Sequence, residues 1–301
     1  AGNGQVAKIC NNMLLGISMI ATCEAFNLAE KLGLDAQTFF NIASTASGQC
    51  WSMTSYCPAP GPVPAAPSNR EYKARNAYSL ALRSNITKEK AVEIKNRLGE
   101  LNKKLVFSSF PTPDSTIYTV KPGDNITAIS RYFKVETGSG DIALGHIRRI
   151  NGLKTHNIFP EDKLKILTGP IWAKVSKTTL TLTLYINNDF IKEYRISVGD
   201  PTKNSDTPAG TYTIGTKTIH PTWYKKTEDG RKEEVPYGDK RNVLGTRWMA
   251  FKESPSLGIH GTTQPESIGK KISNGCIRMY NAEVEEVYDL ISGGARVVVE
   301  E

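Results

Sequence analysis

The sequence predicts a multidomain α+β protein with an all-α N-terminal segment, a small βααβ module and a mainly-β C-terminal sandwich. Residues 6–32 carry a nearly continuous apolar pattern that predicts one long, largely buried helix ended by Gly33. Residues 179–186 alternate strictly between apolar and polar side chains, as a half-buried strand does. Proline-rich and serine-rich stretches separate these regions, so we place domain boundaries at 1–72, 73–117, 118–168 and 169–301.

Composition bounds the class of protein but not its activity. The 301 residues are 39% hydrophobic and 23% charged, which is ordinary for a globular protein, and the net charge is +8. Such a charge suits an anionic partner, such as a cell-wall polymer, a membrane face or nucleic acid, and is equally compatible with simple solubility. Because no basic block alternates with aromatic residues, we expect no nucleic-acid partner.

The five cysteines are unevenly placed. Cys10, Cys23, Cys50 and Cys57 lie near the N-terminus, whereas Cys276 stands alone near the C-terminus. An odd number at irregular spacing does not describe a disulfide framework. The sequence contains no C-x-x-C or H-x-x-x-H pair, so we predict no metal site, and we expect no organic cofactor.

Two stretches near the C-terminus, 258–262 and 273–279, carry the clearest chemistry. They hold His260 and, sixteen positions later, Cys276. A thiol is a weak nucleophile until a base removes its proton, and histidine is the usual base. Gly275 lets the backbone approach closely beside the sulfur, where N–H groups can receive an oxyanion. The pattern predicts a Cys276 nucleophile activated by His260, with a structural role for both residues as the alternative that spacing alone leaves open.

Two neighbouring residues leave alternatives open. Arg278 could favour the thiolate or hold a substrate carboxylate, or it could form a structural salt bridge. The imidazole also needs an orienting partner, as in the third position of a catalytic triad. Ser273 or a nearby backbone carbonyl could supply it.

The histidine–glycine pair followed by S-x-G-C-I-R-M resembles the L,D-transpeptidase catalytic domain, and the resemblance continues through Asn281 to 294–298. Many relatives have a second histidine where this chain has Asn274, so we assign no role to a second histidine. The resemblance implies a substrate-binding surface that includes Gly261, Asn274 and Arg278.

The resemblance also implies a two-step acyl transfer within peptidoglycan. The thiolate attacks the carbonyl between the third, diamino-acid residue of a stem peptide and its terminal D-alanine, with the backbone N–H groups of Gly275 and Cys276 as the oxyanion hole. D-Alanine leaves, and a side-chain amine of a second peptide resolves the thioester into a 3→3 cross-link. Carbapenems acylate such thiols. Resolution by water would give an L,D-carboxypeptidase, and an inactive sandwich would be a peptidoglycan-binding protein.

The expected C-terminal fold is a sandwich of short strands closed by a helix at 282–291. The strand 179–186 places Leu180, Leu182, Leu184 and Ile186 inward, and a turn at 187–188 leads into a partner strand at 190–198. The polar, strongly charged stretch 225–240 is predicted to be a loop or flap at the cleft.

Residues 118–167 predict a βααβ unit, with a strand at 118–120, a helix capped by Asp124, a helix at 142–150 and a strand at 164–167. The motifs Y-T-V-K-P-G-D, I-N-G-L and F-P-x-D-K-L resemble the LysM domain, although residues 136–140 lengthen its inter-helix connection. The resemblance implies binding to N-acetylglucosamine polymers such as peptidoglycan glycan strands. The alternative is that the loops merely close the domain. The implied glycan-binding residues are Gly123, Asp124, Asn125, Ile126, Asn157 and Ile158.

The N-terminal motif G-x-G-x-x-x-K-x-x-N-N resembles the start of the C-terminal domain of 3-hydroxyisobutyrate dehydrogenases, and the similarity extends to about Tyr72. The resemblance implies that Lys8 polarises a substrate oxygen and that Asn12 places it. Because no G-x-G-x-x-G follows a predicted strand, we expect no hydride source and a vestigial site. A dehydrogenase remains a remote alternative.

The apolar run at 13–23 is shorter than the roughly 20 residues of a membrane span, so we predict no integral membrane segment. A signal-peptide core is a weaker alternative, and no convincing export signal is visible. The substrate implied above places the protein in the periplasm or at the cell wall. The sequence does not indicate an oligomeric state.

Residues 73–117 predict an αα-hairpin with helices at 74–83 and 88–107 and Thr87 as an N-cap. Nine Lys or Arg against four Asp or Glu give this segment a charge of +5. It is expected to be a solvated spacer, with contact to an anionic wall polymer or to another protein as the alternative.

Overall fold

The computed structural model of the chain describes residues 2–54, 57, 70–133, 142–203, 205–227 and 230–301. The chain forms two compact units. The first comprises 1–113 together with 188–190, and the second comprises 114–187 together with 191–301. The lengthened connection at 136–140 lies outside the described residues.

The first unit is helical. Asp35 caps its second helix by accepting a hydrogen bond from the backbone N–H of Thr38 at 3.0 Å, as predicted. Phe26, Met53 and Cys57 form a small buried cluster. The helices are α1 Gly2–Lys31, α2 Ala36–Ala43, α3 Trp51–Thr54, α4 Arg70–Ala81 and α5 Lys88–Leu105.

Contacts of Glu24 join three of these helices. The hydroxyl of Tyr78 on α4 donates to the Glu24 carboxylate on α1 at 2.5 Å, and Arg97 on α5 pairs with the same oxygen at 2.5 Å. Thr87 accepts a hydrogen bond from Lys90 N–H at 3.3 Å and caps α5, as predicted. The first helix of the expected hairpin begins four residues earlier than predicted, at Arg70.

The expectation that α1 is largely buried is wrong for its first half. Val6, Ile9 and Ile17 are 60%, 68% and 57% exposed. The segment Gln5–Lys31 is long and apolar enough to cross a membrane, although a soluble core helix or a signal sequence can have the same length and composition. The absence of an integral membrane segment therefore stays a prediction.

The second unit begins with strands that pair antiparallel around two helices, in the predicted βααβ order. The helix cap differs from the prediction. Asn125 accepts from Ala128 N–H at 2.9 Å and is the N-cap, whereas Asp124 accepts from the Tyr118 hydroxyl and Lys121 N–H and closes the preceding turn. The elements are β1 Ser115–Thr119, α6 Ile126–Tyr132, α7 Leu144–Ile150 and β2 Lys163–Leu167.

The rest of the unit is built on an eight-stranded mixed sheet with two small two-stranded sheets and one long helix. The elements are β3 Ile171–Ser176, β4 Thr181–Ile186, β5 Asp189–Arg195, β6 Val198–Gly199, β7 Gly210–Ile219, β8 Trp223–Lys226, β9 Lys232–Val235, β10 Arg247–Phe251, β11 Gly258–His260, β12 Lys271–Ser273, β13 Ile277–Arg278, α8 Asn281–Leu290 and β14 Arg296–Glu300. The large sheet has the order β13-β11-β10-β7-β14-β3-β4-β5, in which β11–β13 and β14–β3 are parallel.

Two expectations about this sheet are corrected. Leu180 lies before β4, is half-buried and has a φ of 54°, because the chain is still turning from β3 there, whereas Leu182, Leu184 and Ile186 are fully buried as predicted. The stretch 225–240 contains part of a hairpin, in which β8 and β9 pair from Trp223↔Val235 to Lys226↔Lys232.

Helix α7 packs closely against α8. The guanidinium groups of Arg148 and Arg149 donate to the Asp289 carboxylate at 3.1 and 2.8 Å. A Cβ atom added to Gly145 would lie 2.7 Å from the Cα atom of Asp289, so only glycine fits. Lys217 donates to the carbonyls of Tyr288 and Ile291 at the end of α8, and burial lowers its pKa to about 8.

We expect Gly145→Ala to destabilise the second unit by about 1–3 kcal/mol, because the added methyl group forces α7 away from α8. Gly99→Ala in α5 is the matched control, since that position has open space and alanine favours a helix by about 0.5–1 kcal/mol. Denaturant unfolding followed by circular dichroism measures both changes. A Gly145→Ala protein as stable as wild type would contradict the packing described.

Candidate active site

The site is built where β11 and β13 pair in parallel. Their register places His260 opposite Arg278 and Ile259 opposite Ile277. Residues two apart on a strand share a face, and Cys276 directly precedes β13. The topology therefore brings Cys276, His260 and Arg278, which the sequence predicts to act together, to one face of the sheet edge.

A backbone carbonyl orients the imidazole of His260. Nδ1 lies 2.6 Å from the carbonyl oxygen of Gly261. Since a carbonyl only accepts hydrogen bonds, we assign the proton to Nδ1, which makes Nε2 the basic nitrogen. The sequence left Ser273 or a backbone carbonyl as the orienting group, and the structure places the Gly261 carbonyl there.

His260 is neutral at ordinary pH. Only 2% of the residue is exposed, and this burial lowers its pKa to about 4. The positive charge of Arg278 acts in the same direction, while hydrogen bonds with the Gly261 and Leu244 backbone oppose it. The imidazole is therefore unprotonated at neutral pH, and its low pKa makes it a weak base.

The thiol of Cys276 is protonated at rest. Its sulfur lies 3.6 Å from the Ser256 carbonyl oxygen, and the residue is half-buried. Burial raises the pKa of the thiol, whereas the Gly258 backbone and the Arg278 charge act to lower it. A neutral thiol needs general-base activation before it can act as a nucleophile.

The turn that carries the thiol is fixed by two hydroxyl groups. Ser273 Oγ donates to the Cys276 carbonyl at 2.5 Å, and Thr207 Oγ1 donates to the Gly275 carbonyl at 2.8 Å. Gly275 has a φ of 101°, and a Cβ there would lie 2.9 Å from a Leu257 methyl group. Ser273 thus closes the turn instead of orienting the imidazole.

The oxyanion-hole candidates have free donors. Within the described part of the chain, neither Gly275 nor Cys276 donates its backbone N–H to a protein acceptor. Asn274, beside them, is exposed. The oxyanion hole at Gly275 and Cys276 stays a prediction.

Arg278 supplies an uncompensated positive charge. Its side chain is half-buried and forms no ion pair with any residue that the structure describes, and its Nε atom has no hydrogen-bond partner. The alternative of a structural salt bridge is therefore not observed. The charge acts instead on Cys276 and His260.

Asn281 supports the histidine loop, a role that the sequence did not indicate. Its side-chain oxygen accepts from Thr246 and Thr262 N–H at 3.3 and 3.1 Å, and its nitrogen donates to the Thr262 carbonyl at 2.9 Å. The same oxygen would lie 2.2 Å from a Cβ added to Gly261, so that residue must be glycine.

A cleft of about 730 Å³ opens onto Cys276. The aromatic rings of Trp223, Tyr224 and Trp248 line it, and His220 lies beside them. The sequence did not indicate these residues, because Trp248 is distant in sequence from 220–224 and only the folded chain brings the two segments to one cleft. The positive φ of 52° at His220 could not be read from the sequence.

The predicted glycan-binding residues lie at turns of the βααβ module. Gly123 has a φ of 89°, and Asp124 and Asn125 hold the turn and cap described above. Asn157 N–H donates to Thr155 Oγ1 at 3.2 Å, and Ile158 packs against the module's core. Ile126 is buried, so glycan binding at these loops would use mainly their polar and backbone groups.

Lys8 and Asn12 are both exposed, one turn apart on α1. Across the described residues, no group of three or more His, Cys, Asp or Glu side chains is arranged to hold a metal ion. The vestigial character of the Lys8 site and the absence of a metal requirement both stay predictions.

We expect Arg278→Gln to raise the pKa of Cys276 further, because the substitution removes the cation that opposes the effect of burial. The rate of Cys276 alkylation by iodoacetamide should fall at neutral pH, and its pH midpoint should move upward. Arg296→Gln, whose guanidinium stacks 4.4 Å from the Trp172 ring centroid, serves as the control. An unchanged or lower midpoint would contradict this account of the charge.

Three known families match separate parts of the chain. Residues 170–299 match the L,D-transpeptidase catalytic domain, and 118–167 match the LysM domain. Residues 2–83 match the NAD-binding domain of NADP-dependent 3-hydroxyisobutyrate dehydrogenase, which extends the similarity beyond our boundary at 72 to include α4.

The N-terminal part is similar to dehydrogenases over a limited length. It is 55% identical over 82 residues to a probable 3-hydroxyisobutyrate dehydrogenase of Mycobacterium bovis, covering 27% of this chain and 27% of the relative. The corresponding human mitochondrial enzyme is 53% identical over 72 residues, or 24% of this chain and 21% of the enzyme. The chain thus spans about a quarter of the length of these relatives.

The C-terminal part is similar to transpeptidases. The solved catalytic domain of Enterococcus faecium L,D-transpeptidase is 25% identical, with a TM-score of 0.35 over 44% of this chain and 98% of that domain. The putative L,D-transpeptidase YqjB of Bacillus subtilis is 36% identical over 138 residues, which cover 44% of this chain and 73% of YqjB. The chain therefore belongs to the L,D-transpeptidase family, and it carries a LysM domain and an N-terminal fragment of the 3-hydroxyisobutyrate dehydrogenase type.

Proposed function

We propose that this protein is a peptidoglycan L,D-transpeptidase that forms 3→3 cross-links through a thioester on Cys276. The observation that carries the proposal is the hydrogen bond between His260 Nδ1 and the Gly261 carbonyl, which leaves Nε2 as a base at the sheet edge that also carries the thiol. The residues named for acyl transfer thus have complementary protonation states.

In the first half-reaction, His260 Nε2 accepts the Cys276 proton as the sulfur attacks the donor carbonyl carbon. The developing oxyanion is stabilised by the Gly275 and Cys276 N–H groups, which have no other protein acceptor among the described residues. The carbon–nitrogen bond then breaks. The imidazolium returns its proton to the departing D-alanine amine, which leaves a thioester.

In the second half-reaction, an amine of the acceptor peptide attacks the thioester carbonyl and loses a proton to His260. The carbon–sulfur bond breaks, the thiol recovers its proton, and a new amide links the two peptides. Because burial holds the pKa of His260 at about 4, its imidazolium is acidic and gives up its proton readily. The low pKa therefore favours both proton returns.

Arg278 has a proposed role in both binding and activation. As a guanidinium without an ion pair among the described residues, it stabilises the Cys276 thiolate and can hold a donor carboxylate. Gly261 directly follows His260, and Asn274 lies two residues before Cys276. We assign them to the substrate-binding surface with Arg278.

The LysM domain supplies the proposed affinity for glycan strands. Together with the catalytic domain it implies association with the cell wall, either in the periplasm or on the wall itself. Hydrolysis is the second candidate activity, because the cleft at Cys276 is open and water could replace the acceptor amine. The balance between the two reactions depends on acceptor binding.

We expect Cys276→Ala and His260→Gln each to lower cross-link formation by at least about 10³-fold, since each removes one member of a cooperating pair. Cys10→Ala is the matched control, because Cys10 is an exposed thiol in the helical unit. Tetrapeptide donors and amine acceptors are incubated with each variant, and the products are separated and weighed by mass spectrometry.

The same experiment separates the alternatives. A cross-linked product supports transpeptidation, and a tripeptide alone supports the carboxypeptidase. A Cys276→Ala protein that still forms cross-links would contradict the proposed mechanism. An inactive but folded wild-type protein that sediments with peptidoglycan would indicate a binding protein instead.

A further inference from the structure

The cleft of Cys276 is lined by a positive charge and by no negative charge among the described residues. Among the described residues that line it, none is a carboxylate, and the single ammonium group belongs to Lys232. The remaining polar lining consists mainly of hydroxyl groups and the His220 imidazole. An anionic group entering this cleft meets no like charge there.

The β8–β9 hairpin carries acidic as well as basic residues. Lys232 lies opposite Lys226, and the next residue, Glu233, points to the other face of the hairpin because strand residues alternate. Glu233 pairs there with Arg241. Glu234 shares the face of Lys232, since the two are two residues apart, but it is exposed and does not line the cleft. Among the described residues that line the cleft, Lys232 therefore meets no carboxylate.

Lys232 is also free to bind. Its side chain is exposed and forms no ion pair or hydrogen bond in the part of the chain that the structure describes. Arg278, the other uncompensated cation of the site, is half-buried and does not belong to the cleft lining. Lys232 is thus the one permanently charged residue among the described residues that line the cleft with Cys276.

We propose that Lys232 is a specificity-determining residue that binds a carboxylate of the donor peptide while the scissile carbonyl lies at Cys276. This inference rests on the proposed function, because it assumes a peptide donor. An ammonium group on a flexible stem recognises a carboxylate as a point charge, through a charge-assisted hydrogen bond. The donor class favoured by this cleft is therefore an anionic peptide in which at least one carboxylate is left unmodified.

The experiment compares matched donors. Each donor is a tetrapeptide in which one carboxylate at a time is converted to the neutral carboxamide, and the rate of acyl-enzyme formation on Cys276 is followed by intact mass. For wild type we expect at least one carboxamide donor to react about 5–10-fold more slowly than its carboxylate parent, as the loss of one charge-assisted hydrogen bond at a partly exposed site predicts.

Variants of Lys232 test whether this residue causes the preference for the carboxylate donor. Lys232→Gln should reduce the carboxylate-to-carboxamide ratio to about one for the same donor, and Lys232→Glu should bring it below one. Lys232→Arg should retain the preference. Lys225→Gln is the control, since Lys225 lies on the same hairpin and outside the cleft lining. Raising the salt concentration should weaken the wild-type preference, because the contact is solvent-exposed.

The outcomes separate this inference from the proposed function. If every donor acylates Cys276 and the ratios are the same in wild type and Lys232→Gln, the assignment of Lys232 is wrong while the transpeptidase proposal stands. If no donor acylates Cys276 in folded wild-type protein, the proposed function itself fails. A preference that Lys225→Gln abolishes equally would also overturn the assignment, because it would reflect the general charge of the hairpin.

Discussion

The hydrogen bond between His260 Nδ1 and the Gly261 carbonyl is the constraint on which the site depends. This hydrogen bond requires that the backbone at Gly261 stays in place. The side chain of Asn281 holds that backbone through hydrogen bonds with the backbone of Thr246 and of Thr262. Its close approach leaves no room for a side chain at Gly261. The start of α8 thus fixes the tautomer of the base, and the parallel register with β13 brings that base to the edge that carries the thiol.

Burial then sets the protonation states. The same enclosure lowers the pKa of His260 and raises that of Cys276, so both groups are neutral at rest. Because the folded pKa of His260 lies below its unfolded value, its contribution to stability is present above about pH 6.5 and is lost as the pH falls toward 4. Arg278 disfavours the imidazolium and favours the thiolate. The resting site therefore holds an uncharged thiol and an uncharged imidazole.

The sequence predicts the reacting groups better than their surroundings. Cys276 and His260 stand in short contiguous motifs, so both could be named as candidates from the sequence, and the structure pairs the strands at which they lie. The partner of the imidazole could not, because Ser273 is near in sequence but its hydroxyl closes the turn at Cys276. Neighbouring Asp124 and Asn125 can both cap a helix, and only the backbone geometry decides between them. The exposed first half of α1 could not be predicted either. Its apolar composition does not indicate which faces of the helix other elements cover.

The most direct test of the central claim is to trap the acyl-enzyme. Wild-type protein is mixed with a tetrapeptide donor in the absence of acceptor, quenched in acid within the first turnovers, digested and mapped by mass spectrometry. The account predicts a tripeptide attached to Cys276, with one equivalent of D-alanine released, and no such adduct on the four cysteines of the N-terminal unit. Release of D-alanine without any adduct on Cys276, or with the adduct on another residue, would contradict it.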